Sequence, residues 1–123
     1  MQLDKRQLVN GAAAFVLNDV APAINDNSFK VIVVACATLM QRSEPAVDKV
    51  LNSGIVKILL PESGGKYDLD AAFAALRDAI AQSGSFALTI GPIPLVMKQE
   101  KTLTFTAADV DALRRRMEDA ANG

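Results

Sequence analysis

The most apolar run of this sequence, Val31–Met40, constrains the fold more than any other feature. Four consecutive β-branched residues, Val31 to Val34, favour a strand. The length of the run and its continuation through Ala-Cys-Ala-Thr-Leu-Met favour a helix that is buried on nearly all sides. We expect a helix over Phe29–Gln41. Since the run is about half the length that a membrane span needs and lies between Lys30 and Arg42, we expect no membrane span.

Composition predicts one domain, residues 1–123, with an aliphatic core. Apolar residues make up 50% of the chain, whereas the aromatic residues are five Phe, one Tyr and no Trp. A formal charge of −1 gives no electrostatic attraction to nucleic acid or to anionic membranes. A mean hydropathy of +0.20 is high for a small monomer. We therefore expect apolar surface covered by a protein partner, and a homo-oligomer.

The chain has no histidine and a single cysteine, Cys36. Most compact catalytic arrangements need a histidine or an exposed thiol, and Cys36 lies inside the apolar run. We therefore predict that Cys36 is a small core hydrophobe, and that the protein is not an enzyme. One cysteine cannot form an intramolecular disulfide, and no signal-type apolar region follows Met1–Gln7 directly. The expected location is the cytoplasm.

Helix-start signals divide the chain into segments. They are Asp4 with Gln7, Asn27 or Ser28, Ser43-Glu44-Pro45, Asp68 or Asp70, and Thr106. Gly54 is expected to close the third helix and Gly84 the helix that starts at Asp68 or Asp70, while Ile55–Leu60 fits either a strand or a further helical turn. Gly11 lies within the first helical pattern, where it indicates either a close packing contact or a weak helix.

Two runs alternate strictly between apolar and polar residues, Phe86–Ile90 and Thr102–Thr106. They predict a hairpin with one inward apolar face. The inward residues would be Phe86, Leu88, Ile90, Leu103 and Phe105. The expected fold is α+β and mostly helical, with four or five helices packed against a C-terminal β-hairpin.

The motifs that suggest chemistry have structural explanations. Gly64-Gly65-Lys66 lacks the first glycine of a phosphate loop, and Tyr67 follows the lysine where Ser or Thr is required. Aligned as a calcium loop, the same turn places Leu60 and Ala71 at ligand positions. The carboxylate pairs Asp68/Asp70 and Asp109/Asp111 diverge on a helix and belong to first helical turns. We predict no catalytic residue, no cofactor and no metal site.

Two segments remain as candidate interaction surfaces. The first is an apolar, proline-stiffened loop, which either folds back on the core or forms an exposed docking segment: Gly91, Pro92, Ile93, Pro94, Leu95, Val96 and Met97. The second is the basic cluster Arg114, Arg115 and Arg116. Spacing predicts i,i+4 pairs from Asp111 to Arg115, Arg114 to Glu118 and Arg115 to Asp119. These pairs favour a solvated face, with an acidic protein partner as the alternative.

The layout resembles a group of small uncharacterised proteins encoded by bacteriophages and prophages of Gram-positive bacteria. The matching residues are Leu8–Gly11, Asn18–Pro22, Gly65–Asp70 and Leu103–Leu113. The group has no established activity, so the resemblance implies no functional residues. It implies a phage structural or assembly accessory.

The predicted function is that of a non-catalytic interaction or assembly protein, which buries aliphatic surface against itself or against a phage or host protein. One alternative is a small-molecule-binding protein, or a minimal enzyme that uses Asp, Lys or Tyr67. The other is a nucleic-acid accessory acting through Arg114–Arg116, although we expect no nucleic acid.

Overall fold

A computed structural model describes all 123 residues, of which 64% are helical. The helices are α1 Lys5–Phe15, α2 Asn27–Arg42, α3 Glu44–Leu51, α4 Gly54–Leu59, α5 Asp70–Ser83 and α6 Ala107–Asn122. The strands are β1 Gln2–Asp4, β2 Glu62–Ser63, β3 Lys66–Asp68, β4 Phe86–Ile90 and β5 Lys101–Phe105. No helix is both long enough and apolar enough to cross a membrane.

The start of α1 confirms the predicted capping box. Asp4 Oδ1 accepts a hydrogen bond from the Gln7 backbone N–H at 2.8 Å, and Gln7 Oε1 accepts one from the Asp4 N–H at 2.9 Å. These bonds satisfy two backbone donors that an uncapped helix would leave unpaired. A π-helical turn, Val16–Val20, and a 3₁₀ turn, Ala21–Ala23, extend α1 before the chain leaves the helix.

The apolar run forms a helix, as predicted, but the prediction that it is buried on nearly all sides is wrong. Asp26 caps α2 in place of Asn27 or Ser28, since its carboxylate accepts from the Phe29 N–H at 3.2 Å. Only Phe29, Val33 and Ala37 are buried. These three residues are spaced four apart and therefore follow one side of the helix. The rest of the molecule covers that side fully, whereas Ile32 and Met40 on the neighbouring side are only partly buried.

The start of α3 confirms the predicted cap, because Ser43 Oγ accepts from the Ala46 N–H at 3.3 Å. The prediction for Gly54 is wrong in detail. Helix α3 already ends at Leu51, and Gly54 is the first residue of α4. The segment Ile55–Leu60, for which strand and helix were both open, is helical as far as Leu59.

A small three-stranded antiparallel sheet was not predicted. Its order is β1-β3-β2, with Leu3 opposite Tyr67. Gly64 and Gly65 join β2 to β3 with φ angles of +60° and +79°. A two-residue turn with positive φ angles matches the right-handed twist of the two strands that it joins. The strands contain two or three residues each, which is too short for a recognisable alternation in the sequence.

Strands β4 and β5 pair in antiparallel register, with Phe86 opposite Phe105 and Leu88 opposite Leu103. However, the prediction of a C-terminal hairpin is wrong, because α6 follows β5 and occupies the C-terminus. The number of helices is six, against the expected four or five. Thr106 starts α6, since its backbone N–H donates to Asp109 Oδ2 at 2.8 Å. The hairpin is therefore an internal element between α5 and α6.

Two apolar clusters form the interior. The first joins α1, α3, α5 and α6 around Leu3, which is completely inaccessible. The second joins the end of α1 to α2 and to the loop after β4, and includes Phe15, Phe29 and Met97. Phe15 also lies against Phe105 of β5, with the ring centres 6.2 Å apart. The second cluster therefore fixes the hairpin relative to α1 and α2.

Helices α1 and α6 cross in direct contact at Gly11. A methyl group placed on Gly11 would lie 2.6 Å from Met117 Sδ, 3.2 Å from Met117 Cα and 3.3 Å from the Arg116 carbonyl oxygen. The thioether can move, but the two backbone atoms belong to α6 and can move only with the whole helix. Of the two explanations for Gly11 that the sequence leaves open, the structure supports the close contact.

We expect Gly11→Ala to destabilise the protein by about 1–2 kcal/mol, because overpacking of a close contact outweighs the gain in helix propensity. Urea unfolding measures the change. The matched control is Gly54→Ala, where a methyl group meets nothing within 4 Å and stability should stay the same or rise slightly. Equal stability of the Gly11→Ala variant and the native protein would contradict the tight α1–α6 contact.

Candidate functional site: an apolar groove and its surroundings

A groove of about 500 Å³ in the surface of the molecule is lined entirely by hydrophobic residues. Helices α1 and α2 form one part of its wall, and the β4–β5 hairpin with Ile93 forms another. Residues of α3 and α4, with Leu60 and Met117, complete it. The lining residues are Leu8, Val9, Ala12, Ala13, Phe15, Val16, Val20, Phe29, Ile32, Val33, Cys36, Ala37, Met40, Val47, Val50, Leu51, Val56, Leu60, Leu88, Ile90, Ile93, Leu103, Phe105 and Met117.

The groove exists because the hairpin does not close onto α2. The face predicted to point inward is only half-buried at Phe86, Ile90, Leu103 and Phe105. Leu88 is exposed, which corrects its predicted inward burial. Alternation in β4 and β5 places these side chains on one face, as the sequence indicates. That face borders the groove, so part of it remains in contact with solvent.

Cys36 is exposed and lines the groove, so its prediction as a core residue is wrong. The error has a geometric cause. The buried residues Val33 and Ala37 follow one side of α2, and Cys36 lies about 100° around the helix from Ala37. An apolar neighbourhood in the sequence therefore did not place the thiol inside the core.

A second, polar cleft of about 480 Å³ adjoins the groove. The two depressions share Val9, Met40 and Val47 as lining residues. The polar residues of the cleft are Asp4, Lys5, Arg6, Asn10, Gln41, Arg42 and Glu44. The apolar groove therefore lies next to a region that carries three cationic side chains.

One of the three cations in this polar cleft is paired. Lys5 Nζ donates to Asp48 Oδ1 at 2.7 Å and lies 3.5 Å from Glu44 Oε1. The hydrogen bond to Asp48 is the main cause that raises the pKa of Lys5 above its ordinary value. Arg6 and Arg42 have no carboxylate within 4.0 Å. Two exposed guanidinium groups are thus available to an anion at this end of the groove.

Helix α2 also presents an uncovered apolar row on its outer side. Val31, Ala35 and Leu39 are spaced four apart, and all three are exposed, Val31 to 67% and Leu39 to 56%. Each lies two positions from a buried residue, which is about 200° around the helix. This outer row of α2 is therefore on the opposite side from the buried row, and it lies outside the groove.

The candidate loop Gly91–Met97 has one buried anchor and an exposed tip. Met97 is buried and pairs through its backbone with Ile93, whose N–H donates to the Met97 carbonyl at 2.9 Å. Leu95 is fully exposed and has a φ of +66°, and Val96 is 59% exposed. The two alternatives for this loop therefore apply to different residues: its end packs on the core, while its tip points to solvent.

The three arginines of the candidate basic cluster have separate roles. Arg114 forms the predicted pair with Glu118 at 3.2 Å and lies 5.5 Å from the centre of the Phe73 ring. The predicted pairs of Arg115 with Asp111 and Asp119 are not formed, and Arg115 is exposed. Arg116 instead donates to Asp19 across to the turn after α1, at 2.9 and 3.3 Å. The cluster therefore does not present three free guanidinium groups on one surface.

The carboxylate pairs serve local structure. Asp109 accepts from the Thr106 backbone, and Asp68 Oδ1 accepts from the Asp70 N–H at 2.9 Å. Asp70 lies 2.9 Å from the α-amino group of Met1. Leu69 occupies the position before α5, so neither aspartate is the N-cap residue that was predicted. Gly84 ends α5 as predicted.

Sequence reasoning missed both the groove and the cluster of cations at its end. The residues that line the groove come from seven helices and strands and are far apart in the chain. The one available signal was in α2, where apolar residues continue around the whole helix. A helix with apolar residues on all sides is expected to be covered on all sides, and the rest of the chain covers only part of α2.

Comparison of the chain with protein-family models, with curated proteins and with solved structures finds no match.

The Arg116–Asp19 pair gives a pH-dependent contribution to stability. Its hydrogen bond lowers the pKa of Asp19, so the folded state favours the ionised carboxylate. The contribution is present at neutral pH and is lost as the pH falls through the lowered pKa. We expect Asp19→Asn to lower the thermal midpoint at neutral pH, and the difference from the native protein to disappear in acid.

Thermal unfolding followed by circular dichroism over a pH series measures this effect. Asp78→Asn is the matched control, because Asp78 is exposed and forms no ion pair. A deficit of the Asp19→Asn variant that persists unchanged in acid would contradict an electrostatic role for the pair.

Proposed function

We propose that this chain is a non-catalytic assembly protein that forms a homodimer through the outer row of α2. Val31, Ala35 and Leu39 of one copy would pack against the same residues of a second copy. The resemblance to bacteriophage and prophage proteins supports a role as a phage-derived structural accessory in the cytoplasm. The observation that carries the proposal is the incomplete burial of α2.

A helix that is apolar on all sides is stable in water only when every side is covered. In the monomer, α2 buries one row and leaves another row of apolar side chains exposed on its opposite side. Such a row of exposed apolar residues marks a contact surface more often than an isolated exposed leucine does. The outer row of α2 therefore favours a protein partner.

The total surface of the chain supports the same proposal. Its accessible area is 7733 Å², whereas a folded monomer of 13.1 kDa is expected to expose about 6,400 Å². The difference of about 1,300 Å² exceeds the ~800 Å² that each partner buries in an interface of standard size. The monomer therefore has enough excess surface for a dimer interface and for the open groove.

The arrangement of the row favours a second copy as the partner. Ala35 is the smallest of the three side chains and lies between the two larger ones. In a two-fold symmetric pair of antiparallel helices, the axis would pass close to Ala35, and Val31 of each copy would meet Leu39 of the other. The small residue allows close approach on the axis, and the same surface serves both copies.

The tip of the Gly91–Met97 loop would form a separate contact. Leu95 and Val96 are exposed and lie outside the outer row of α2. An assembly accessory needs a surface for another component besides the surface for its own copy. We assign this role to the loop tip, with a phage or host protein as its partner.

Size-exclusion chromatography with light scattering tests the dimer. We expect a dimer for the native chain and a monomer for the double variant Val31→Asp with Leu39→Asp. A dimer of this variant would have to bury the introduced carboxylates in its interface without an ion-pair or hydrogen-bond partner, which is unfavourable. The fold of the variant should be intact, since both side chains are already exposed in the monomer.

The matched control is Ile55→Asp with Ile58→Asp on α4, which changes two side chains that are 71% and 76% exposed. This variant should remain dimeric. A native chain that is strictly monomeric at high concentration would contradict the dimer. If the α2 variant remained dimeric and the α4 variant became monomeric, the interface would lie on α4, and the proposed α2 interface would be contradicted.

A further inference from the structure

We propose that the groove, together with the polar cleft at its end, binds an amphiphile with one long hydrocarbon chain and an anionic head group, such as a fatty acid carboxylate. The chain would lie in the apolar groove, and the head group would meet Arg6 and Arg42. This site is separate from the outer row of α2 and does not depend on the proposed dimer.

The lining of the groove determines the chemistry of the first part of the ligand. All 24 lining residues are hydrophobic, so no side chain there offers a strong hydrogen-bond partner. An extended peptide would place its backbone N–H and C=O groups against this wall, where they would remain unpaired. A hydrocarbon chain has no such groups.

The size of the groove supports a thin occupant. One turn of an α-helix with its side chains fills about 400–600 Å³, so a groove of about 500 Å³ accommodates little more than one turn. The same volume lies within the range of about 300–1,000 Å³ that is typical of small-molecule sites. Size therefore favours a single flexible chain over a helix from another protein.

Charge at the polar end determines the head group. The carboxylates of the polar cleft are already engaged, Asp4 by the Gln7 backbone and Glu44 by Lys5. The guanidinium groups of Arg6 and Arg42 have no such partner. Guanidinium groups match a carboxylate or a phosphate with two parallel hydrogen bonds, which a neutral or cationic head group cannot accept in the same way.

The shared residues connect the two halves of the site. Val9, Met40 and Val47 line both depressions, so the two lie side by side and a ligand that occupies both would pass over these three side chains. An apolar groove next to two arginines without an ion pair is complementary to a fatty acid carboxylate, whose chain is apolar and whose head group is anionic. This juxtaposition is the observation on which the proposal rests.

Cys36 provides a direct test, because it is the only cysteine of the chain, is exposed and lines the groove. The rate of its alkylation by N-ethylmaleimide can be followed by intact-mass spectrometry. We expect dodecanoate, added below its micelle concentration, to slow alkylation at least tenfold at saturation. N-acetylcysteine in the same solutions shows whether dodecanoate itself affects the reagent.

Two comparisons test the two halves of the ligand. Shortening dodecanoate to decanoate should weaken binding about fourfold for each CH₂ removed, as burial of the chain requires. The alcohol dodecanol should bind at least tenfold more weakly than the carboxylate, and Arg6→Gln with Arg42→Gln should remove this preference. The matched control is Arg77→Gln, an exposed arginine away from the site that should leave binding unchanged.

Three results would overturn the proposal. One is unchanged alkylation of Cys36 at every concentration of dodecanoate. Another is equal protection by dodecanol and dodecanoate together with no effect of the arginine substitutions. The third is protection of Cys36 that is present without ligand and is lost on dilution, which would show that a second copy fills the groove.

Repeating the measurement on the Val31→Asp, Leu39→Asp variant separates this inference from the proposed dimer. Binding of dodecanoate to that variant would support the site whatever its oligomeric state. Loss of binding in that variant alone would overturn the claim that the site is independent of the dimer.

Discussion

The contact between α1 and α6 at Gly11 is the constraint on which the rest of the structure depends. Because residue 11 has no side chain, Met117 and the backbone of α6 lie directly against α1. The first apolar cluster forms around these two helices, and the Arg116–Asp19 pair fixes α6 to the turn that extends α1. The second cluster uses that same turn to hold α2 and the hairpin. A wider separation of α1 and α6 would therefore disturb both clusters.

The sequence predicts local structure well where a single residue or a short motif determines it. The capping box of Asp4 and Gln7, the cap at Ser43 and the helix end before Gly84 were all predicted, because each depends on hydrogen bonds between near neighbours. The β4–β5 pairing was predicted from strict alternation, although the hairpin was wrongly placed at the C-terminus. The sheet of β1, β3 and β2 was missed because its strands are too short to show a period.

Predictions that depend on the neighbours of an element were less successful, and α2 shows why. Four parallel rows run along this helix, beginning at Phe29, Lys30, Val31 and Ile32; successive rows are about 100° apart, and the last lies about 60° from the first. Hydropathy alone indicates burial for most of their residues, but only the row of Phe29 is fully buried. The Cys36 thiol belongs to the row of Ile32, which faces the groove. Arg116 shows the same limitation, since its partner Asp19 lies 97 residues away along the chain.

The distribution of rows on α2 also explains why one helix can serve two kinds of contact. The buried row, which begins at Phe29, is covered by the rest of the chain. The outer row, which begins at Val31, is assigned to a second copy. The row that begins at Ile32 faces the groove. The outer row is exposed and apolar, as a symmetric helix pair requires, whereas the groove is concave and adjoins a cleft with two arginines that form no ion pair. The two surfaces suit different partners, because the volume of the groove admits little more than one turn of a helix, whereas the outer row can pack along several turns of one. The observed burial accounts for one apolar side of α2, and the two proposed contacts would account for the others, each with its own side of the helix.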